Sequence, residues 1–269
     1  MNLSEAAGAI LWDRLWQYRA TDGEDDVALA REERSQRWAM IAGFLQSTFG
    51  SIAGLLTIEL GSGRGDLSAL LARNGADVTL LDASRNALHQ AKRRFDRLGL
   101  AAHYEHADLF ETCETRQGCF DVALSSGVIE HSRGDDRTRA IEAHYRALKP
   151  GGVTIISVPN AWCPSYRLWK FYLELRGWWP YGVEIPYSKR ELIWRARAAG
   201  FTPMETHCVG FLQSIGGHWW RSWVGHRPGW ADRTFWLDSA FGFTLMLFAS
   251  RGGVDREAQL HEHCRKECR

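Results

Sequence analysis

The stretch Thr57-Ile58-Glu59-Leu60-Gly61-Ser62-Gly63-Arg64-Gly65-Asp66, with Val78-Thr79-Leu80-Leu81-Asp82 after it, constrains the fold more than any other part of this chain. It reads as a buried strand, a glycine turn, a helix opening near Asp66 and a second strand ending in a carboxylate. Two parallel strands joined by a helix commit the chain to an α/β sheet with right-handed crossovers. Glycines at 61, 63 and 65 let the turn take positive φ and bring bare backbone N–H groups against a ligand, at the positive end of the helix. Asp82, closing the second strand, is placed to accept from the hydroxyls of a ribose.

The spacing chooses between nucleoside ligands. A dinucleotide turn is G-x-G-x-x-G, whereas this one is G-x-G-x-G with Glu59 before it and Asp66 in the sixth place. A diphosphate would meet an added carboxylate at the helix start, which is electrostatically unfavourable. A ligand with one carboxylate for the turn and cationic groups for Glu59 fits better. S-adenosylmethionine is such a ligand, and here the chain resembles the class I S-adenosylmethionine-dependent methyltransferases, whose first motif is E/D-x-G-x-G-x-G.

The resemblance runs from about Ser35 to Arg251. His106-Ala107-Asp108-Leu109-Phe110 matches the family's second acidic position, Phe120 to His131 its fourth strand, and Leu148-Lys149-Pro150-Gly151-Gly152 with Val153 to Val158 the turn and fifth strand. It implies a Rossmann-like, mostly parallel seven-stranded sheet with the last strand antiparallel and helices on both faces. It also implies S-adenosyl-L-methionine as cofactor, leaving as S-adenosyl-L-homocysteine. The cofactor would be held by Glu59, Gly61, Ser62, Gly63, Gly65, Asp82, Ala83, Asp108, Leu109 and Ser125, with Asp108 accepting from the adenine amino group.

Periodicity supplies the rest of the outline. Helices are expected over Asp66 to Arg73, Ser84 to Leu98 and Arg137 to Leu148, with another opened by the capping box Ser188-Lys189-Arg190-Glu191. Residues 1–50 read as a helical lid: an apolar stripe of Ile10, Leu11, Leu15, Tyr18, Trp12 and Trp16, an acidic break at Asp22 to Asp26, and a helix from about Arg31 to Phe49. Residues 51–251 form the catalytic domain, with cap insertions at about 160–187 and 212–237, and 252–269 a charged tail. Ten of the thirteen tryptophans fall between Trp162 and Trp236, so the aromatic mass lies where a substrate cover is expected.

At 269 residues, 45% hydrophobic and with a formal charge of +1, the chain can bury a large core and offers nothing to a polyanion. Lys92, Arg93, Arg94 and Arg97 read as the solvated face of a helix. The six cysteines form no C-x-x-C pair, and His261 to Cys268 reads as a frayed terminus rather than a zinc site. No metal is expected, because Gly127-Val128-Ile129-Glu130-His131 lacks the first carboxylate of the E-x-x-E-H pattern some relatives use for a divalent ion. No nucleic acid is expected either, since Ser125-Ser126-Gly127-Val128 lacks the [D/N/S]-P-P-[Y/F] of nucleic-acid amino-methyltransferases. With no signal segment apparent, the expected location is cytoplasmic, and the oligomeric state is left open.

Methyl transfer from a sulfonium asks the protein to align the reactants, exclude water and, for a hydroxyl or ammonium acceptor, take a proton. His131 at the end of the fourth strand is the leading candidate base. His218 and His226 in the second insertion are its rivals, with Tyr166 and Tyr187 behind them. The expected partner is a small-molecule acceptor, methylated at oxygen in biosynthetic or secondary metabolism. N-methylation of an amine, methylation of a lipid- or sugar-linked envelope precursor, and a non-catalytic cofactor-binding module are the alternatives. Arg221, Arg227 and Arg233 among the tryptophans make membrane-surface contact conceivable, though it is not expected.

Overall fold

A computed structural model of the chain describes residues 11–17, 22–110, 116–220 and 228–252, with residues 22–26 and 218–220 described by backbone alone. Seven strands, β1 (Leu56–Leu60), β2 (Asp77–Asp82), β3 (His103–His106), β4 (Phe120–Ser126), β5 (Leu148–Pro159), β6 (Phe201–Val209) and β7 (Thr244–Arg251), make one sheet in the order β3-β2-β1-β4-β5-β7-β6. The pairs among β1 to β5 are parallel, and β7 runs antiparallel to both β5 and β6. This is the expected architecture. Strand order reverses between β1 and β4, which opens a crevice at their carboxyl ends.

The strands feed two cores, one on each face of the sheet. Leu80, Leu124 and Ile155 pack under Ile41, Leu70 and Phe95 of the helices Gln36–Phe49, Asp66–Arg73 and Arg85–Leu98. Ile58, Leu81 and Ile156 face Ile141 and Leu192 of the helices Asp136–Ala147 and Lys189–Ala198. The expected cap at Ser188 is present, its Oγ accepting from the Glu191 N–H at 3.2 Å, and Ser84 caps the helix after β2 in the same way, its Oγ accepting from the Ala87 N–H at 3.1 Å.

Three expectations are corrected. The lid helix expected from Arg31 is two helices, Asp22–Glu33 and Gln36–Phe49, parted at Ser35, whose Oγ caps the second by accepting from the Trp38 N–H. The acidic run from Asp22 opens the first of these, at the end where the helix dipole favours carboxylates. β4 stops at Ser126; Gly127 (φ 73°) turns the chain into a 3-10 turn, Ile129–His131, so His131 sits beyond the strand. Arg94 is not solvated: it is buried and paired with Asp66, which neutralises that carboxylate at the glycine turn.

Gly65 illustrates how closely the turn is fitted. At φ +68° a Cβ there would lie 2.4 Å from Leu80 Cδ2 and 3.1 Å from Phe95 Cε2. Gly65→Ala is therefore expected to cost about 2 to 4 kcal/mol, combining a left-handed alanine with core overpacking. Urea unfolding of the variant would show this as a lowered midpoint with an unchanged slope.

Beyond β5 the chain builds its cap from the helix Pro164–Leu175, the short helix Phe211–Ser214, a π-helical turn Ile215–Trp220 and a 3-10 turn Gly229–Asp232. Among the described residues no helix is long and apolar enough to cross a membrane.

Candidate active site

A cavity of about 540 Å³ opens at the carboxyl ends of β1, β2, β4 and β5, within the range of small-molecule sites. One half is made by the glycine turn. Gly61 (φ 68°) and Gly63 (φ 54°) line it, and a Cβ on either would strike Val128 or the Trp16 indole within 3 Å. Asp82 holds this turn to the next loop: Oδ2 accepts from the Gly63 N–H at 2.7 Å and Oδ1 from the Ser84 N–H at 2.8 Å. Burial raises its pKa from the ordinary value. Each oxygen keeps a second lone pair for ligand hydroxyls.

Glu59 closes the inner wall. Its Oε2 accepts from both the N–H (3.1 Å) and the Oγ–H (2.5 Å) of Ser68, capping the helix that the turn leads into. Burial pushes its carboxyl up to about 7 despite those bonds. Ala83, Asp108 and Leu109 line the far end, where Asp108 Oδ1 accepts from the Phe110 N–H at 2.8 Å. Ser62 Oγ is buried without a hydrogen-bond partner among the described residues and lines the same space, where it can donate to or accept from a ligand.

Two of the residues expected to hold the cofactor are elsewhere. Gly65 does not line the cavity; it is the packing position described above. Ser125 is turned away into the core, where its Oγ meets His144 Nε2 at 2.8 Å. Its neighbour Ser126 lines the cavity instead and accepts at 2.6 Å from the Arg37 guanidinium, which is also ion-paired with Glu32 at 2.7 Å. Arg37 was not anticipated, and it supplies a cation on the cavity wall where a ligand carboxylate would gain from one.

The other half is aromatic and acidic. Trp12, Tyr166, Trp179, Tyr181 and Phe243 surround Glu130, His131 and Glu184. The His131 ring is fixed by its Nδ1, which donates to the Val183 carbonyl at 2.5 Å, so Nε2 carries the lone pair. Burial lowers the His131 pKa, keeping the imidazole neutral. Trp12 meets this ring edge-on, centroids 4.8 Å apart, and lies beside Tyr181 at 6.5 Å. Tyr166 donates its phenol to Glu184, while Tyr187 is buried below the cavity with its phenol on the Ile129 carbonyl. The His218 side chain and all of His226 lie outside the described residues.

Glu130 is strongly displaced: burial, with Glu184 nearby, pushes its carboxyl up to about 8. Among the described residues its Oε2 has no hydrogen-bond partner, nor do Trp179 Nε1 and Ser157 Oγ, all on the cavity wall. Because the folded protein holds this proton more tightly than the unfolded chain, Glu130 favours folding below about pH 4.5. That contribution falls as pH rises towards 8, by about 1.4 kcal/mol per unit. Glu130→Gln is expected to gain stability over the parent as pH rises from 5 to 8 and to hold a constant margin above that, measured by denaturant unfolding across the range.

The lid completes the enclosure. Asp13, in the helical stretch 11–17, accepts from Ser84 Oγ (2.8 Å), the Asn86 N–H (3.1 Å) and Asn86 Nδ2 (3.0 Å), and Gln90 donates to the Trp16 carbonyl. Among the described residues no group of three or more His, Cys, Asp or Glu side chains is arranged to hold a metal ion.

The donor set fits S-adenosylmethionine: a glycine cradle and a cation for the carboxylate, a buried acid for the ribose, an aspartate at the adenine end and an unpaired hydroxyl between. The methyltransferase-domain family model matches residues 58–152. The chain is 34% identical over 158 residues to a ubiquinone biosynthesis O-methyltransferase of Ruegeria pomeroyi, covering 57% of this chain and 62% of that one. A protein of the same name from Ralstonia nicotianae is 32% identical over 168 residues, covering 60% and 68%. The alignments cover 45 to 62% of the length of the first four such relatives. Among solved structures, the 1,6-didemethyltoxoflavin N1-methyltransferase of Burkholderia thailandensis, with bound S-adenosylhomocysteine, shares the fold at a TM-score of 0.57 and 19% identity, covering 94% of this chain and 91% of that one. Sheet order, glycine turn and sequence kinship converge, and the chain belongs to the class I S-adenosylmethionine-dependent methyltransferases.

Proposed function

We propose that this methyltransferase acts on an oxygen of a small-molecule acceptor, with His131 as the proton acceptor. The observation that carries this reading is the tautomer of His131, a neutral imidazole on the cavity wall whose Nδ1 proton is committed to the Val183 carbonyl. When bound, S-adenosylmethionine supplies a methyl group already activated on a sulfonium. The protein's share is to bury the acceptor between Trp12, Tyr181 and Phe243, exclude water with the lid, and receive the hydroxyl proton at His131 Nε2 as the oxygen bonds the methyl carbon and sulfur keeps the electron pair. The imidazolium then returns its proton to solvent. Glu130, protonated near neutrality, donates to a second oxygen of the acceptor, and Trp179 Nε1 offers another donor.

The amine alternative is less well served. An aromatic cage for an ammonium needs open ring faces, and one face of Trp179 is already taken by Lys170 Nζ, 4.0 Å from its centroid, a cation that would also repel a second one there. The relatives' role as O-methyltransferases of ubiquinone biosynthesis supports an oxygen acceptor. Methyl-labelled cofactor offered with panels of hydroxylated, carboxylated and amine compounds tests the reading. Labelled O-methyl products are expected; turnover confined to amines would overturn it.

A further inference from the structure

The helix Pro164–Leu175 is inside out. Its buried side carries Tyr166 and Lys170, while Leu168, Phe171 and Leu175 are 59%, 62% and 74% exposed. At 100° per residue, Leu168, Phe171, Tyr172 and Leu175 fall on one stripe about 100° wide, opposite the buried pair. Trp162 before the helix and Trp178 after it are also exposed, so the stripe has an indole at each end. The inner face is firmly held. Tyr166 is bonded to Glu184 and packed edge-on against Phe243, Lys170 lies over Trp179 and pairs with Glu174, and Ser165 is bonded to Ser214. The outward presentation of leucine and phenylalanine is thus built into the fold.

We infer that this stripe seats the protein on an anionic phospholipid surface, with the helix lying in the plane of the headgroups. Charge complementarity selects that occupant. Arg167 borders the stripe and Arg176 follows it with its guanidinium over the Trp178 ring, and neither has a carboxylate partner among the described residues. The carboxylate on that flank, Glu174, is neutralised by Lys170 at 2.6 Å. An apolar stripe with arginines at its edge and indoles at its ends is the pattern of a helix that sinks part-way into an interface. A two-fold pairing with a second copy would instead bring arginine borders together with no open carboxylate to receive them. The inner face of the same helix reaches the cavity through Tyr166, so docking would set the site beside the bilayer whatever acceptor it takes.

Flotation of the full chain with vesicles of phosphatidylglycerol and phosphatidylcholine (1:1), and of phosphatidylcholine alone, tests the inference. At least tenfold stronger binding to the anionic vesicles is expected. Phe171→Ser with Leu175→Ser should reduce it tenfold or more, and Arg167→Ala with Arg176→Ala severalfold on anionic vesicles alone. S-adenosylhomocysteine affinity, measured alongside, should stay unchanged in both variants and so report their folding. Parent protein that floats with neither vesicle overturns the inference, as does a dimer in light scattering that the apolar variant dissociates without any vesicle binding.

Discussion

His131→Ala is expected to lower turnover on a hydroxyl acceptor by about 10² to 10⁴, the usual worth of a general base. S-adenosylhomocysteine affinity should change little, because His131 lies in the aromatic half of the cavity, away from the glycine turn and Asp82 proposed to hold the cofactor. The parent rate should fall in acid as the imidazole protonates. Burial lowers its pKa, so this limb should lie below the range of an ordinary histidine, and it should vanish in the variant. Single-turnover kinetics across pH, with calorimetry for affinity, separate the two effects. A variant with an unaltered rate would remove His131 from proton transfer and turn attention to His218 and His226.

Asp82→Ala is expected to weaken S-adenosylhomocysteine binding by about 1.5 to 3 kcal/mol, or roughly ten- to 150-fold, the range for hydrogen bonds to a charged acceptor. The loss has two sources: the ribose acceptor disappears, and the Gly63 and Ser84 N–H groups lose the carboxylate that ties their loops together. Asp82→Asn should be nearly as damaging. An amide has one acceptor oxygen for two converging N–H donors, and its NH₂ would oppose one of them. Calorimetric titration of both variants checks this, and near-parent affinity in either would remove Asp82 from the site.

The part of the site that the sequence revealed is the part made by consecutive residues. The glycine turn from Glu59 to Asp66 and the acid Asp82 follow from spacing and periodicity, and Asp108 from the family resemblance; Glu59, Gly61, Ser62, Gly63, Asp66, Asp82 and Asp108 line the cavity, while Gly65 packs beneath the turn. Ser125 and Ser126 show where this stops. Adjacent strand residues point to opposite faces, and a one-residue ambiguity at the end of β4 sent the expectation to the serine that faces His144. Arg94 failed for a related reason: a run of basic residues looks solvated until the partner, here Asp66, is known to lie across from one of them. Arg37, Trp179 and Glu184 are brought in by the lid and the first insertion, whose approach to the sheet edge depends on long-range packing that no local spacing encodes. The inverted face of Pro164–Leu175 was hidden likewise, since periodicity marks an apolar stripe without saying which way it faces.

The helical stretch 11–17 spans both halves of the cavity with three side chains: Trp16 against Gly63, Asp13 on Ser84 and Asn86, and Trp12 against His131 and Tyr181. Neither ligand's chamber can open fully without disturbing contacts that shape the other. If release of spent cofactor and of methylated product both require these seven residues to lift, the two exits share one latch, and a substitution that loosens Asp13 from Ser84 and Asn86 is expected to shorten the dwell time of both.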